Sequence, residues 1–159
     1  MSKYIFTLAK TDDVPEVWHL YKSLVGTPGC TWSDDYPAIE NVESDIAAQS
    51  LYILKNGDKL ISAAFAGYCD ELAEFEWQCK NPCELARIGV EPSMQGQGIG
   101  SLMLKNVIDA AQTRGFDGIR MLVSRSNPAA LAMYDKNGFT RLDEVRMFDI
   151  DFYRYEMRF

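Results

Sequence analysis

A glycine-rich turn between an apolar strand segment and a helical segment constrains the fold of this chain more than any other feature. Residues 84–90 have the pattern of a buried strand, and residues 101–114 have the pattern of a helix. Between them, Gly96, Gly98 and Gly100 allow a tight turn and let a ligand approach the backbone closely. A helix N-terminus carries unpaired N–H groups and the positive end of the helix dipole, so this turn predicts a phosphate-binding site.

The spacing of the glycines separates this turn from other phosphate-binding turns. A Rossmann turn has G-x-G-x-x-G with an acidic residue about 20 positions later, at the end of the next strand. Here the third glycine comes one residue early, and Asp117 precedes the next strand. A Walker A loop ends in Gly-Lys-Ser/Thr, but no lysine follows Gly100 before Lys105. The pattern is instead Gln-x-x-Gly-x-Gly, at Gln95, Gly98 and Gly100. The alternative is a plain strand–helix turn whose glycines only relieve backbone strain.

A second segment predicts one short helix with clear ends. Asn127 is a suitable N-cap, and Pro128 suits the first helical position. Gly138 suits the C′ position, where the chain leaves the helix. Asn127, Ala130 and Tyr134 are spaced i, i+3 and i+7, so they share one face of this helix.

Together the two segments resemble the hallmarks of the GNAT acetyltransferase superfamily. The first resembles the pyrophosphate-binding loop of that family, and the second matches its N-x-x-A-x-x-x-Y-x-x-x-G-F pattern at every named position. The motifs follow the family's order, and the resemblance is specific over residues 84–139. It implies an α/β fold with a GNAT-like mixed, mostly antiparallel central sheet and helices on both faces. Within that sheet, a parallel strand pair formed by residues 84–90 and 118–124 would splay apart.

The remaining patterns predict the order β-α-α-β-β-β-α-β-α-β-β in a single domain over residues 1–159. Thr11 is expected to cap the first helix, with Asp12 and Asp13 in its first turn. Asn56-Gly57-Asp58 is a strong hairpin signal. The expected strands are residues 3–9, 51–55, 59–68, 84–90, 118–124, 139–146 and 152–159, and the expected helices are 11–26, 41–49, 101–114 and the helix after Asn127.

The resemblance implies acetyl-CoA as co-substrate, bound in the V between the splayed strands. Its pyrophosphate would rest on the main-chain amides of the glycine loop, and its pantetheine arm would pair with the first strand as an added strand. Gln97 departs from the family pattern, because many relatives carry Arg or Lys there. The residues expected to hold acetyl-CoA are Ile88, Gly89, Val90, Gln95, Gly96, Gln97, Gly98, Ile99, Gly100, Ser101, Asn127, Ala130 and Tyr134.

Two residues are candidates for the proton transfers that acetylation of an amine requires. Tyr134 occupies the family's general-acid position and could donate a proton to the departing thiolate; the alternative is a packed aromatic that only anchors CoA. Glu84 is the candidate base, since period-2 alternation places it on one strand face with Ala86, Ile88 and Val90. The alternatives for the base are a solvent-facing Glu84, water, or the rival carboxylates Asp70, Glu74 and Glu76.

The acceptor pocket is expected to form from the first helix and its loop, the connection between the third and fourth strands, and the last hairpin. Residues 31–37 are the notable piece of these regions. Trp32 and Tyr36 beside Asp34 and Asp35 could hold an ammonium group by cation–π and charge contacts. The alternative is a loop whose aromatic residues only pin it to the core. Tyr153 and Tyr155 in the last hairpin are ambiguous in the same way.

Composition and charge narrow the class of partner. The net charge of −7 argues against nucleic acid, which requires a basic face, and is compatible with a cationic substrate, although solubility alone would explain it. No apolar run reaches the ~20 residues of a membrane span, and the N-terminus lacks the apolar region of a signal peptide. A cytoplasmic protein without a membrane partner is therefore expected. Cys79 and Cys83 have poor spacing for zinc and lie far in sequence from His19, so no metal site is expected.

The sequence thus predicts an N-acetyltransferase that transfers the acetyl group of acetyl-CoA to a primary amine of a small molecule or peptide, directly within a ternary complex. The rival from another class is a non-catalytic acyl-CoA-binding or sensing domain, which would keep the phosphate loop without needing an acid. O-acetylation, a longer acyl donor and a homodimer all remain open.

Overall fold

Seven strands and four α-helices make up the described part of the chain. The computed structural model describes residues 3–159; the first two residues, which the predicted single domain includes, lie outside it. The strands are β1 (Tyr4–Leu8), β2 (Leu51–Asn56), β3 (Lys59–Gly67), β4 (Pro82–Val90), β5 (Gly118–Ser124), β6 (Thr140–Met147) and β7 (Ile150–Arg158), and the helices are α1 (Val14–Leu24), α2 (Ile39–Ala47), α3 (Ile99–Thr113) and α4 (Pro128–Lys136). The predicted order of elements is confirmed, apart from two added 3₁₀ turns at Thr11–Asp13 and Pro92–Met94.

The strands form one sheet in the order β1-β2-β3-β4-β5-β7-β6. Every neighbouring pair is antiparallel except β4 and β5. These two strands pair only at their start, where Pro82–Glu84 faces Gly118–Arg120. Beyond that point β4 pairs with β3 alone and β5 with β7 alone, so the two strands part. The predicted mixed sheet with a splayed parallel pair is confirmed.

The helices cover both faces of the sheet, because each has one apolar face to bury. Helices α3 and α4 pack with β4 and β5 in one cluster, in which Met103, Leu104 and Val107 are completely enclosed. On the opposite face, α1 and α2 pack against β2 and β3 through residues such as Val17 and Val42. Burying a side chain of this size stabilises the fold by roughly 1.5–3 kcal/mol. This packing fixes the N-termini of α3 and α4 at the open end of the V.

Three helix starts differ from the prediction. Thr11 does not cap α1; it begins a 3₁₀ turn in which the Asp13 carboxylate accepts the Lys10 N–H at 2.8 Å. Helix α2 begins at Ile39 rather than residue 41, because the Asn41 side chain accepts the Ala38 N–H at 2.8 Å. Helix α3 begins at Ile99 rather than residue 101, directly after the N-cap. For the first two helices, the side chain that bonds the capping amide lies three residues after it, whereas α3 has no side-chain cap and starts at the left-handed Gly98.

Candidate active site

A cleft of about 480 Å³ opens where β4 and β5 part. Its walls come from the second half of β4, the glycine turn with the start of α3, the end of β5, the start of α4, and the loop after α1. The lining residues are Leu24, Thr27, Pro28, Gly29, Cys30, Thr31, Trp32, Arg87, Ile88, Gly89, Val90, Met94, Gln95, Gly96, Gly98, Ile99, Gly100, Ser101, Leu122, Val123, Ser124, Asn127, Ala129, Ala130, Met133, Tyr134 and Phe152. The volume suits the narrow arm of a cofactor with a small acceptor group.

The glycine turn forms one end of the cleft and presents its amides to it. Gly98 is the N-cap of α3 and has a left-handed backbone with φ 81°, which a residue with a Cβ rarely adopts. A Cβ at Gly98 would meet open space, so the conformation and not crowding calls for glycine. Within residues 3–159 the N–H groups of residues 96–98 find no backbone or side-chain acceptor. Together with the unpaired first-turn amides of a 15-residue helix, they make an anion site.

Helix α4 lies against the start of α3 and completes this end. The Asn127 side chain caps α4 by accepting the Ala130 N–H at 3.2 Å, as predicted from the sequence. Asn137, at the other end of α4, donates to the Ser101 hydroxyl at 3.3 Å. A Cβ at Gly100 would lie 2.8 Å from the Met133 sulfur, so a glycine there permits the close packing of the two helices.

Tyr134 projects from α4 into the middle of the cleft. Its ring is 3% exposed and packs edge-on against Phe139, with ring centroids 5.5 Å apart. Burial raises the pKa of the phenol above its ordinary value, so the hydroxyl stays protonated. No protein partner takes that hydroxyl among residues 3–159. A protonated and unengaged hydroxyl facing the cleft can donate to a ligand atom.

A β-bulge in β4 forms the wall nearest the loop after α1. Gly89 faces Ala63 and Ala86 faces Phe65, so β4 has one more residue than β3 over this stretch. The two residues between them, Arg87 and Ile88, have no partner in the strand register and line the cleft. A bulge interrupts the ladder of backbone hydrogen bonds and leaves backbone groups free. Backbone donors and acceptors of β4 are therefore available to a bound ligand.

The Arg87 side chain is held by three elements. Its guanidinium donates to both carboxylate oxygens of Asp45 in α2, at 2.7 Å each, and to the Tyr36 hydroxyl at 3.0 Å. It also lies over the Phe65 ring, 5.1 Å from the centroid. Burial raises the pKa of Asp45, and the contact with Arg87 opposes that rise.

The structure places Glu84 outside the cleft. It lies at the closed start of the V, paired with Arg120 at 3.8 Å and only 4% exposed. Burial raises its pKa, but its neighbours are Arg120, Cys69 and Glu71 and no cleft residue. Because of the bulge, Glu84 shares a face with Ala86 and Gly89, not with Val90 as the alternation predicted. Its position therefore does not support the predicted role as base.

The rival carboxylates do not line the cleft, and neither do Cys79 and Cys83. Asp70, Glu74 and Glu76 are exposed on the segment between β3 and β4. Cys79 and Cys83 are buried free thiols with raised pKa values, caused first by burial. The potential metal ligands that lie close together in the described chain are Cys69, Glu71 and Glu84, a group that the cysteine spacing did not suggest.

The predicted acceptor loop borders the cleft. Trp32 lines it and packs edge-on against Tyr21, with centroids 5.1 Å apart. Asp34 and Asp35 are exposed, and Lys22 ties this loop to α1 through the Asp34 carbonyl at 2.7 Å. Phe152 is the residue of the last hairpin that lines the cleft. Tyr155 is instead enclosed in the core, and Arg141 stacks over the Tyr153 ring.

Twelve of the thirteen residues predicted to hold the cofactor line the cleft; the exposed Gln97 does not. The sequence reasoning missed Arg87, the end of β5 and residues 27–30 at the start of the loop after α1. Arg87 carried a detectable signal only as a charged residue in the second, otherwise apolar half of β4. Loop residues such as Gly29 carried none, because their approach to Asn127 is a long-range contact.

Comparison with known proteins agrees with this geometry. The sequence profile of the Acetyltransferase (GNAT) family matches residues 15–139. The ribosomal protein bS18-alanine N-acetyltransferase of Escherichia coli K12 is 28% identical over 130 residues, which cover 82% of this chain and 76% of the relative. The mycothiol acetyltransferase of Beutenbergia cavernae is 35% identical over 57 residues, and the matched part spans only 19% of that longer protein.

Solved structures share the fold at lower identity. The ribosomal-protein-S18-alanine N-acetyltransferase from Escherichia coli superposes with a TM-score of 0.76 at 22% identity, covering 98% of this chain and 93% of that one. The yncA protein of Salmonella typhimurium, solved with its cofactor acetyl-CoA, gives a TM-score of 0.80 at 18% identity over 99% of this chain and 94% of that one. Among the described helices, none combines the length and the hydropathy of a membrane span.

The family profile spans most of the chain and includes both motifs of the cleft. The chain therefore belongs to the GNAT family of acetyltransferases.

Proposed function

We propose that this protein transfers the acetyl group of acetyl-CoA to the primary amine of a second substrate, with both bound in the cleft at once. The observation that carries the proposal is the arrangement along one cleft of an anion-binding helix N-terminus, an interrupted strand and the unengaged hydroxyl of Tyr134. In this order, the three features match the pyrophosphate, the extended arm and the departing sulfur of a phosphate-bearing thioester. A purely sensing domain would have no need of the hydroxyl.

Acetyl-CoA binding divides between the two ends of the cleft. The pyrophosphate sits on the amides of the glycine turn, where the helix dipole favours negative charge. The pantetheine arm extends between β4 and β5 and bonds to backbone groups of Ile88 to Val90, as an added strand would. This places the thioester beside Tyr134 and the bulge.

The chemistry then follows from the groups around the thioester. The amine nitrogen attacks the acetyl carbonyl carbon, and negative charge develops on the carbonyl oxygen. A free backbone N–H of the bulge stabilises that oxygen, and preorganised donors of this kind are worth about 10²–10³-fold in rate. As the C–S bond breaks, the Tyr134 hydroxyl donates to the sulfur, so CoA leaves as a thiol and the product is an amide. Tyr134 then regains a proton from solvent, which has taken one from the amine.

No Asp, Glu or His of the described residues lines the cleft. We therefore assign the deprotonation of the amine to solvent. The apolar groups along the cleft, among them Leu24, Trp32 and Leu122, disfavour an ammonium ion and so lower the pKa of a bound amine. The rival roles for Glu84, Asp70, Glu74 and Glu76 find no support in their positions.

A cleft without a base suits an amine that is already partly neutral. An α-amino group has a pKa of about 7.7–8.0, whereas a lysine side chain has a pKa near 10.4. We therefore propose the N-terminal α-amine of a peptide as the preferred acceptor. The relative from Escherichia coli named for acetylating an alanine of a ribosomal protein supports this choice.

A turnover assay tests the proposal. Short peptides with a free α-amine are compared with Nα-blocked peptides that carry one lysine, in the presence of acetyl-CoA, and released thiol is measured against pH. We expect turnover on the free α-amine, with kcat/KM half-maximal at about pH 8 and level from roughly one pH unit above that. Tight binding of acetyl-CoA with no thiol release on any amine would favour the sensing domain. Preference for the blocked lysine peptide would refute the choice of acceptor.

A further inference from the structure

Arg87 has a backbone conformation that its residue type does not favour. Its φ is 47°, in the left-handed region that residues with a Cβ rarely adopt. Bulges that place a residue in this region usually have glycine there. Since Arg87 has no such freedom, other contacts must hold the bulge in this shape.

The side chain of Arg87 supplies those contacts. Nε and Nη2, on one edge of the planar guanidinium, donate to the two Asp45 oxygens, and Nη1 donates to the Tyr36 hydroxyl. The side chains of Arg87 and Asp45 are 14% and 6% exposed, so water competes little for these bonds. The partners stand on α2 and on the loop before it, both outside the sheet. The bulge is therefore anchored to a separate layer of the fold.

The backbone of this bulge also forms part of the cleft wall, where the thioester is expected to lie. Arg87 and Ile88 line the cleft, and neither has a partner in the strand register. The guanidinium itself points away, toward α2 and the Phe65 ring. We propose that Arg87 and Asp45 are positioning residues: their ion pair fixes the bulge of β4 so that a free backbone N–H meets the acetyl carbonyl oxygen. This inference rests on the proposed acetyl transfer.

Four variants separate this role from direct action of the positive charge. Arg87→Gly removes the side chain but accepts a positive φ; Arg87→Ala removes the side chain and disfavours that φ. Arg87→Lys keeps the charge but has neither the fork nor the conformational freedom. Asp45→Asn removes the negative charge that pairs with the Arg87 guanidinium. Asp13→Asn is the matched control, because Asp13 forms a comparable ion pair with Lys55 at 3.3 Å outside the cleft.

We expect kcat to fall least in Arg87→Gly, by about 10-fold, and by roughly 10²-fold in Arg87→Ala and Arg87→Lys, the loss typical of a misplaced oxyanion donor. Asp45→Asn should lie between them. The affinity for CoA without its acetyl group should change much less than kcat in every variant, because the pyrophosphate remains on the glycine turn. Asp13→Asn should retain full turnover. If Arg87→Ala does not fold, the comparison of glycine with lysine still decides. A smaller loss in Arg87→Lys than in Arg87→Gly, equal losses in all three, or no loss would overturn the inference.

A second measurement does not require an acceptor. If the bulge N–H bonds the acetyl oxygen, calorimetry should give the parent a tighter Kd for acetyl-CoA than for CoA. That preference should shrink in Arg87→Gly and vanish in Arg87→Lys. A parent that binds both equally would overturn the positioning role and leave the transfer reaction standing. A parent with the preference but no turnover on any amine would leave the contact between the bulge N–H and the acetyl oxygen standing and refute the proposed function.

Discussion

Tyr134 is the residue on which the distinction between enzyme and sensor depends. Its hydroxyl is protonated and has no protein partner among the described residues, so its removal should affect the departing sulfur and little else. We expect Tyr134→Phe to lower kcat by roughly 10²-fold, as for other proton-transfer groups, with the Kd for acetyl-CoA nearly unchanged. Tyr52→Phe is the matched control, a buried tyrosine of the same cluster whose hydroxyl accepts from Arg114. Full kcat in Tyr134→Phe would leave this residue a packing role only.

Glu84 should influence stability and not catalysis. Glu84→Gln should change kcat/KM by less than about 3-fold at any pH, well below the 10² of a proton-transfer group. Burial raises the pKa of Glu84 in the folded protein, so the folded state binds this proton more tightly than the unfolded chain does. The parent's free energy of unfolding should therefore fall, relative to that of the variant, as pH rises from about 4.3 through the raised pKa.

Urea denaturation of both proteins across this pH range checks the direction of the change. A difference in stability that grows with pH would show that Arg120 stabilises the charged carboxylate more than burial disfavours it. Loss of the low-pH limb of kcat/KM in Glu84→Gln would instead restore the base assignment.

The two outcomes at residue level show what a motif can and cannot locate. The position of Tyr134 in the cleft could be predicted because Asn127, Ala130 and Tyr134 belong to one helix, and helical periodicity fixes which residues share a face. Glu84 was misplaced because the alternation of a strand holds only while its register is regular. The bulge at Arg87 depends on Asp45 and Tyr36, which are distant in sequence, so no local pattern reveals it.

At the scale of elements, the N-terminus of α3 should be the unit that binds CoA. Gly98→Asp places a carboxylate where the phosphates are expected and disfavours the left-handed N-cap. We expect Kd for CoA to rise by at least about 10-fold, from charge repulsion at a helix N-terminus with the loss of amide contacts. Gly57→Asp is the matched control, because Gly57 also has a positive φ and open space, but lies in the β2–β3 hairpin. Equal affinity for CoA in a folded Gly98→Asp variant would refute this site.

The elements themselves were largely predictable, but their starts were not. Periodicity and turn residues located every strand and helix, since these depend on neighbours within a few positions. Helix starts depend on which side chain bonds which amide. The side-chain carbonyl of Asn41 accepts the Ala38 N–H, and the Asp13 carboxylate accepts the Lys10 N–H. Because of these bonds, the observed helix starts differ from the predicted ones by two or three residues. The start of the loop after α1, residues 27–30, could not be placed, because the contact of Gly29 with Asn127 joins segments about a hundred residues apart in sequence.

At the scale of the whole molecule, the net charge of −7 should govern how acceptors arrive. The exposed Asp34 and Asp35 stand on the loop that borders the cleft, so the excess of negative charge extends to its entrance. A cationic peptide should be attracted over distances comparable to the Debye length, which shortens from about 30 Å at 0.01 M salt to about 8 Å at 0.15 M. We expect kcat/KM for a peptide with two added lysines to fall roughly 3- to 10-fold over this range. The value for a neutral peptide with the same N-terminal residue should hardly change.

The doubly substituted variant Asp34→Asn with Asp35→Asn separates local from overall charge. If the loop carboxylates direct the peptide, this variant should lose most of the salt dependence while keeping its kcat on the neutral peptide. If the whole surface acts together, removing two of 23 acidic residues should leave the dependence nearly intact. Identical salt profiles for cationic and neutral peptides in the parent would show that the acidic surface serves solubility alone, and the α-amine would then be selected by its pKa and by the shape of the cleft.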